Sequence, residues 1–223
     1  MKQMPVIVYL HGLGASPQSK KGVLVRERFA PKGFEVRSPD LNIPSLSELS
    51  VTEALRCVGH ELRQVRERLV FLVGSSFGGF LALRSFALLA PETRRNVCGI
   101  ALLAPVIDPW DPTSRLFTPD VELQWRRDGA YPMVRADDGS SVSIHYRFVE
   151  ELRSLAQAEL SLDVPILIIH GTRDAVVPHA QSVRFSREHP AVQLVLLDEE
   201  HQLLERPEDF LEALEVFFTA QHE

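Results

Sequence analysis

Leu69-Val70-Phe71-Leu72-Val73-Gly74-Ser75-Ser76-Phe77-Gly78-Gly79-Phe80-Leu81-Ala82-Leu83 is the stretch whose reading decides the fold. Five consecutive apolar residues read as a strand buried on both faces, and Phe80 to Leu83 open a helix directly after it. Between them Gly74-Ser75-Ser76-Phe77-Gly78 matches G-x-S-x-G. A strand that turns into a helix this sharply holds the middle serine in a strained backbone conformation. Residues without side chains are needed two places before and two places after it. Gly74 and Gly78 fill those places, so Ser76 is the candidate nucleophile. The pattern is short; the strand before it and the helix after it give it weight. A Gly/Ser turn that merely caps a helix is the plainer alternative.

Outward from this turn, six short runs rich in Val, Ile and Leu recur: Pro5–Leu10, Phe34–Ser38, Leu69–Gly74, Val97–Ala104, Val164–His170 and Val192–Asp198. Helical patterns lie between them, at Lys20–Pro31, Leu46–Arg68, Ser76–Leu89, Tyr146–Glu159, Ala180–His189 and Glu205–Ala220. Regular alternation predicts the α/β class: a mostly parallel sheet of about six strands, helices on both faces, and function at the carboxyl ends of the strands. The rhythm breaks once, at residues 108–145, which read as a lid-like insertion in a single domain spanning 1–223. Its aromatic residues Trp110, Phe117, Trp125 and Tyr131 either line an apolar substrate pocket or pack the insertion onto the body.

The first strand ends in His11-Gly12-Leu13-Gly14. In a hydrolase, the main-chain N–H groups of Leu13 and Phe77 would form an oxyanion hole, and the glycines would let the backbone approach a substrate carbonyl. A dinucleotide fingerprint fails on its own spacing, because its third glycine would fall on Pro17. No G-x-x-x-x-G-K-[ST] loop occurs. His11 is expected to order the loop by hydrogen bonding rather than to catalyse.

A serine nucleophile needs a base, and histidine titrates nearest to working pH. Of eight histidines, His201 is the best placed, after the last strand and the turn Asp198-Glu199-Glu200. His170 ends a strand but reads as part of a turn. The acid that orients His201 is expected to be Asp174, in Gly171-Thr172-Arg173-Asp174, with Asp108 in reserve; Asp198 is too near in sequence to reach from the right side. The chain order Ser76, Asp174, His201 differs from those of chymotrypsin-like and subtilisin-like enzymes.

Composition narrows the remaining choices. With 45% hydrophobic and 24% charged residues, the chain of 223 residues has the balance of a globular protein. A net charge of −6 leaves no footprint for nucleic acid. Residues 1–10 hold too short an apolar run for a signal peptide or membrane span, so a cytoplasmic location and no membrane partner are expected. Cys57 and Cys98 are read as reduced, buried core residues. No metal or organic cofactor is expected, because no Cys/His/Asp cluster has ligand spacing.

The segments His11-Gly12-Leu13-Gly14-Ala15-Ser16-Pro17 and Gly74-Ser75-Ser76-Phe77-Gly78-Gly79 resemble those of small bacterial esterases of the YqiA kind. Gly171-Thr172-Arg173-Asp174-Ala175-Val176-Val177-Pro178 and His201 are similar to the acid and base regions of the α/β-hydrolase superfamily. The resemblance covers the chain except the insertion. It implies the α/β-hydrolase fold, with the family's eight-stranded sheet trimmed to its last six strands. It also implies a serine hydrolase acting on a small-molecule acyl substrate, a carboxylic ester or thioester. A small-peptide or amide hydrolase of the prolyl-oligopeptidase kind, and a catalytically silent binding protein on the same fold, stay open.

Overall fold

A computed structural model describes residues 4–111, 117–135, 138–157 and 160–222. In chain order its elements are β1 (Val6–Leu10), α1 (Lys20–Phe29), β2 (Glu35–Arg37), α2 (Val51–Gln64), β3 (Val70–Ser75), α3 (Phe77–Ala87), α4 (Pro91–Arg94) and β4 (Val97–Leu103). There follow α5 (Pro119–Asp128), β5 (Ala130–Val134), β6 (Ser141–His145), α6 (Arg147–Ala156), β7 (Ile166–Gly171), α7 (Ala180–Glu188), β8 (Val192–Leu197) and α8 (Pro207–His222).

Six strands form one sheet in the order β2-β1-β3-β4-β7-β8, every neighbouring pair parallel. Side chains along a strand alternate between faces, and the core divides accordingly. Val6, Val8, Leu10, Leu72, Ile100, Leu102, Ile166 and Ile168 share one apolar cluster with α2, α3 and α6. Ile7, Tyr9, Phe71, Val73, Ala101, Leu103, Leu167 and Ile169 share the other with Val25 and Phe29 of α1 and Phe210, Leu214 and Phe218 of α8. Burial on both faces is why these strands read as unbroken apolar runs. From β1 the chain passes to β2 on one side and then to β3 on the other. The carboxyl ends of β1 and β3 therefore flank a reversal of winding, the place where open α/β sheets hold ligands.

The six expected strands all form. The expected helix Leu46–Arg68 is shorter, because Ser50 caps α2 by accepting a hydrogen bond from the Glu53 N–H at 3.2 Å. The helix expected to run to Glu159 is α6, ending at Ala156; Glu159 lies outside the described residues. The insertion holds more order than the sequence reading gave it: α5 and an antiparallel β5–β6 hairpin with Tyr131 opposite Ile144. Part of the insertion, residues 112–116 and 136–137, also lies outside the described residues. Cys57 and Cys98 are unpaired and half-buried rather than core residues. Among the described residues no helix is long and apolar enough to cross a membrane.

Candidate active site

β3 delivers Ser76 at φ 54° and ψ −120°, a left-handed backbone that a serine adopts only under constraint. The constraint is visible in its surroundings. The Ser76 N–H donates to the Leu103 carbonyl at 2.9 Å, and its carbonyl accepts from Gly79 at 2.9 Å and Val106 at 3.0 Å. A Cβ on Gly74 would stand 2.4 Å from the Gly78 oxygen, and one on Gly78 would stand 2.1 Å from the Leu10 oxygen. Backbone meets backbone at both places, so only glycine allows the turn to close.

His201 follows β8 and Asp174 follows β7. His201 Nδ1 donates to Asp174 Oδ2 at 2.6 Å, which leaves Nε2 as the acceptor for the Ser76 hydroxyl at 3.0 Å. The sequence thus named three residues, 125 and 27 positions apart, that the fold brings into one line. Asp108 does not join them; its carboxylate accepts from the Trp110 N–H. Asp198 pairs with Arg173.

The Asp174 carboxylate accepts four hydrogen bonds. Val176 and Val177 N–H groups reach Oδ1 at 2.8 and 2.7 Å. His201 and His170 share Oδ2, the latter at 3.1 Å. Burial by itself would raise this carboxyl, but the bonds from His170, His201 and Val177 outweigh it and hold the group well below the usual carboxylate range. His170 is fully buried. Its Nε2 faces two acceptors, Asp174 and the Val177 carbonyl at 2.8 Å, so that nitrogen carries a proton, and Nδ1 accepts from the Ser182 hydroxyl at 2.7 Å. Sequence reasoning assigned His170 to a turn. The available signal was its spacing: it stands four residues before Asp174 at the end of the same strand.

Gly12 and Leu13 stand beside the serine; a Cβ on Gly12 would lie 3.2 Å from Ser76 Cβ. Among the described residues neither the Leu13 nor the Phe77 N–H donates to another backbone group. Phe77 opens α3, whose amino end favours negative charge. His11 orders this loop. Its Nε2 accepts from the Leu41 N–H at 3.1 Å and its Nδ1 donates to the Gly12 carbonyl at 2.9 Å.

A cavity of about 660 Å³ opens here, its wall including Gly12, Leu13, Ser76 and His201. Among the described residues the four insertion aromatics do not line it. Trp125 is fully buried and donates its indole N–H to the Ile144 carbonyl at 2.7 Å. It stacks on Phe117 and Phe148 and touches Tyr131, and Trp110 stacks on Phe117. Phe148 of this cluster meets the ring of Phe77 edge-on. In this structure the four follow the packing alternative: Phe117 and Trp125 are buried in the core beside α3 and α6, and Trp110 and Tyr131 pack against it.

The model of the family described as Uncharacterised protein family (UPF0227) matches residues 6–219, in keeping with the YqiA-like resemblance of the two glycine loops. The chain belongs to UPF0227. This UPF0227 member is 26% identical over 191 residues to "Palmitoyl-protein thioesterase ABHD10, mitochondrial" of Rattus norvegicus; the match takes in 81% of the chain and 62% of that relative's length. Among solved structures, one from Agrobacterium vitis S4 superposes with a TM-score of 0.83 at 20% identity, covering 100% of this chain and 90% of that one. Mouse alpha/beta hydrolase domain-containing protein 10 gives 0.78 at 20% identity, with coverages of 99% and 91%. Est1E from Butyrivibrio proteoclasticus, solved with ferulic acid, gives 0.77 at 19%, with coverages of 98% and 90%. The UPF0227 chain has the α/β-hydrolase fold, and these relatives carry hydrolase and esterase names.

Proposed function

We propose that this chain is a serine hydrolase that cleaves carboxylic esters or thioesters through an acyl-enzyme on Ser76. The observation that carries the reading is the hydrogen-bonded line from Ser76 through His201 to Asp174. His201 takes the serine proton as Oγ attacks the acyl carbon, and Asp174 fixes the tautomer and balances the charge that forms on the imidazole. The Leu13 and Phe77 amides receive the oxyanion. The protonated His201 returns its proton to the leaving alcohol or thiol. Water then attacks the acyl-enzyme with His201 again as base, releasing the acid and the free serine.

The test is labelling by a fluorophosphonate, paired with hydrolysis of short p-nitrophenyl esters and aminoacyl amides. A single adduct on Ser76, and loss of turnover by about 10⁶-fold in Ser76→Ala, is the expected result. An unlabelled Ser76 in folded protein refutes the reading. Faster cleavage of the amides than of the esters moves the activity to the peptidase class.

A further inference from the structure

The wall of the Ser76 cavity has a second half that the acyl-transfer chemistry does not use. It includes Ser16, Ser19, Lys20 and Lys21, the loop and first residues of α1. Lys21 is buried, with 6% of its surface exposed, although lysine is among the side chains most seldom buried unless paired. Its ammonium donates to the His201 carbonyl at 3.2 Å. Among the described residues no carboxylate lies within ion-pairing distance of it, and its one hydrogen bond goes to a neutral carbonyl. Burial pushes this ammonium down to about 8, against the attraction of Asp174.

The backbone around Lys21 has the same sign. α1 has no side-chain cap at Ser19 and no acidic residue in its first turn, so its opening N–H groups and positive dipole end are uncompensated. The Ser19 side chain stands beside the buried Tyr9 hydroxyl, with which it shares a hydrogen bond, and does not cap the helix. Among the described residues neither aspartate nor glutamate lines the cavity, in a chain whose net charge is −6. A buried ammonium and an uncapped helix start share one wall of the cavity with Ser76, a donor set that suits an anion.

We propose that the Ser76 cavity selects esters or thioesters whose acyl or leaving group bears a carboxylate, held by Lys21 and the amino end of α1; this rests on the acyl-transfer reading of Ser76. A carboxylate supplies two acceptor oxygens to donors that the protein leaves unmatched. A neutral ester would add no charge to the attraction that Asp174 already exerts on Lys21 from beyond ion-pairing distance, whereas a carboxylate would pair with the ammonium directly.

The test uses substrate pairs that differ by one charge. On the acyl side, p-nitrophenyl glutarate is compared with its methyl ester; on the leaving side, 4-carboxyphenyl acetate is compared with its methyl ester. The ratio of kcat/KM, charged over neutral, is read in wild type and in Lys21→Met, so that a general loss of activity cancels. In at least one arm the ratio should fall roughly 10- to 100-fold in Lys21→Met, the range of a charged hydrogen bond, with Lys21→Gln between the two. Ratios unmoved in both arms, with all esters slowed alike, would make Lys21 a positioning residue for His201 and overturn the proposal.

A binding arm needs no turnover. Monomethyl glutarate and dimethyl glutarate are titrated by NMR into Ser76→Ala protein with and without Lys21→Met. Tighter binding of the monoanion that disappears with Lys21 supports the site; equal binding in the two proteins overturns it. Failure of Ser76 to label with fluorophosphonate would instead overturn the acyl-transfer reading, and the titration would then decide the anion site by itself.

Discussion

His170 Nε2 lies 3.1 Å from Asp174 Oδ2, the same oxygen that accepts from His201 at 2.6 Å. A carboxylate oxygen held between two imidazoles cannot rotate away from either. His170 in turn is fixed by Ser182 on α7 and by the Val177 carbonyl. Replacing it with phenylalanine leaves that carbonyl, the Ser182 hydroxyl and one face of the carboxylate without their partner. His170→Phe should therefore cost about 1–3 kcal/mol of stability and lower kcat by roughly tenfold with little change in KM, as expected for loosened positioning. Urea melts and steady-state kinetics check both. An unchanged kcat would show that the two backbone amides on Oδ1 suffice.

Asp174→Asn should reduce kcat by roughly 10⁴-fold while Asp108→Asn has little effect. Asp174 also shapes the response to acid. Its carboxyl is depressed in the folded state, so it contributes stability above the usual carboxylate range, and that contribution is lost as pH falls through and below it. The acid limb of the stability curve should be shallower in Asp174→Asn than in wild type. Identical limbs between pH 5 and 2 would contradict the depressed carboxyl.

The same bookkeeping has the opposite sense for Lys21. Its folded value, about 8, is below the 10.5 of the exposed group, so the folded state gives up its proton first. Below pH 8 both states are protonated and the buried charge costs stability in full; between about 8 and 10.5 the unfolded chain holds more protons and the cost is relieved. Lys21→Met should accordingly be more stable than wild type at pH 7 by about 1–3 kcal/mol, with the difference narrowing at pH 9 to 10. A variant that is less stable at pH 7 would count against burial of an ammonium at this position.

Glycines that look alike in the sequence should differ sharply under substitution. A Cβ at Gly78 would meet the Leu10 backbone oxygen at 2.1 Å, whereas at Gly129 nothing lies within 4 Å and only the φ of 72° resists. Gly78→Ala should lose at least about 3 kcal/mol or fail to fold, and Gly129→Ala about 1–2 kcal/mol. Thermal denaturation of the pair decides it.

Trp125 separates packing from substrate contact. Trp125→Ala should cost about 3–5 kcal/mol as a core deletion. Its preference among p-nitrophenyl esters of increasing acyl length should match wild type at a temperature where both are folded. A changed length preference would return the insertion aromatics to the pocket.

The two-sided burial of the sheet is why its strands were legible: residues such as Val6–Leu10 and Ile166–Ile169 have no solvent side to interrupt them. Ser76 and Asp174 were legible because each follows such a strand, and His201 because it follows the apolar run of the edge strand β8. The β5–β6 hairpin was not: β5 carries Pro132 in its middle, and the polar-apolar alternation of β6, Ser141 to His145, runs for only five residues. α5 could have been found. Thr118 at its cap, Pro119 at its first position, Asp120 and Glu122 in the first turn, Arg126 and Arg127 in the last, and Gly129 after it are a full set of boundary signals. Lys21 was not legible, because only tertiary burial distinguishes it from the other lysines, while His170 carried one signal, its place four residues before Asp174.

The parallel order of the sheet places β8 at its edge and makes it the last strand of the chain. During synthesis the serine leaves the ribosome 125 residues ahead of His201. On the proposed reading of Ser76 as nucleophile, a nascent chain that has reached Asp174 but not His201 holds a hydroxyl and a carboxylate with no imidazole between them, so the base that would activate the serine arrives only with the closing edge of the sheet.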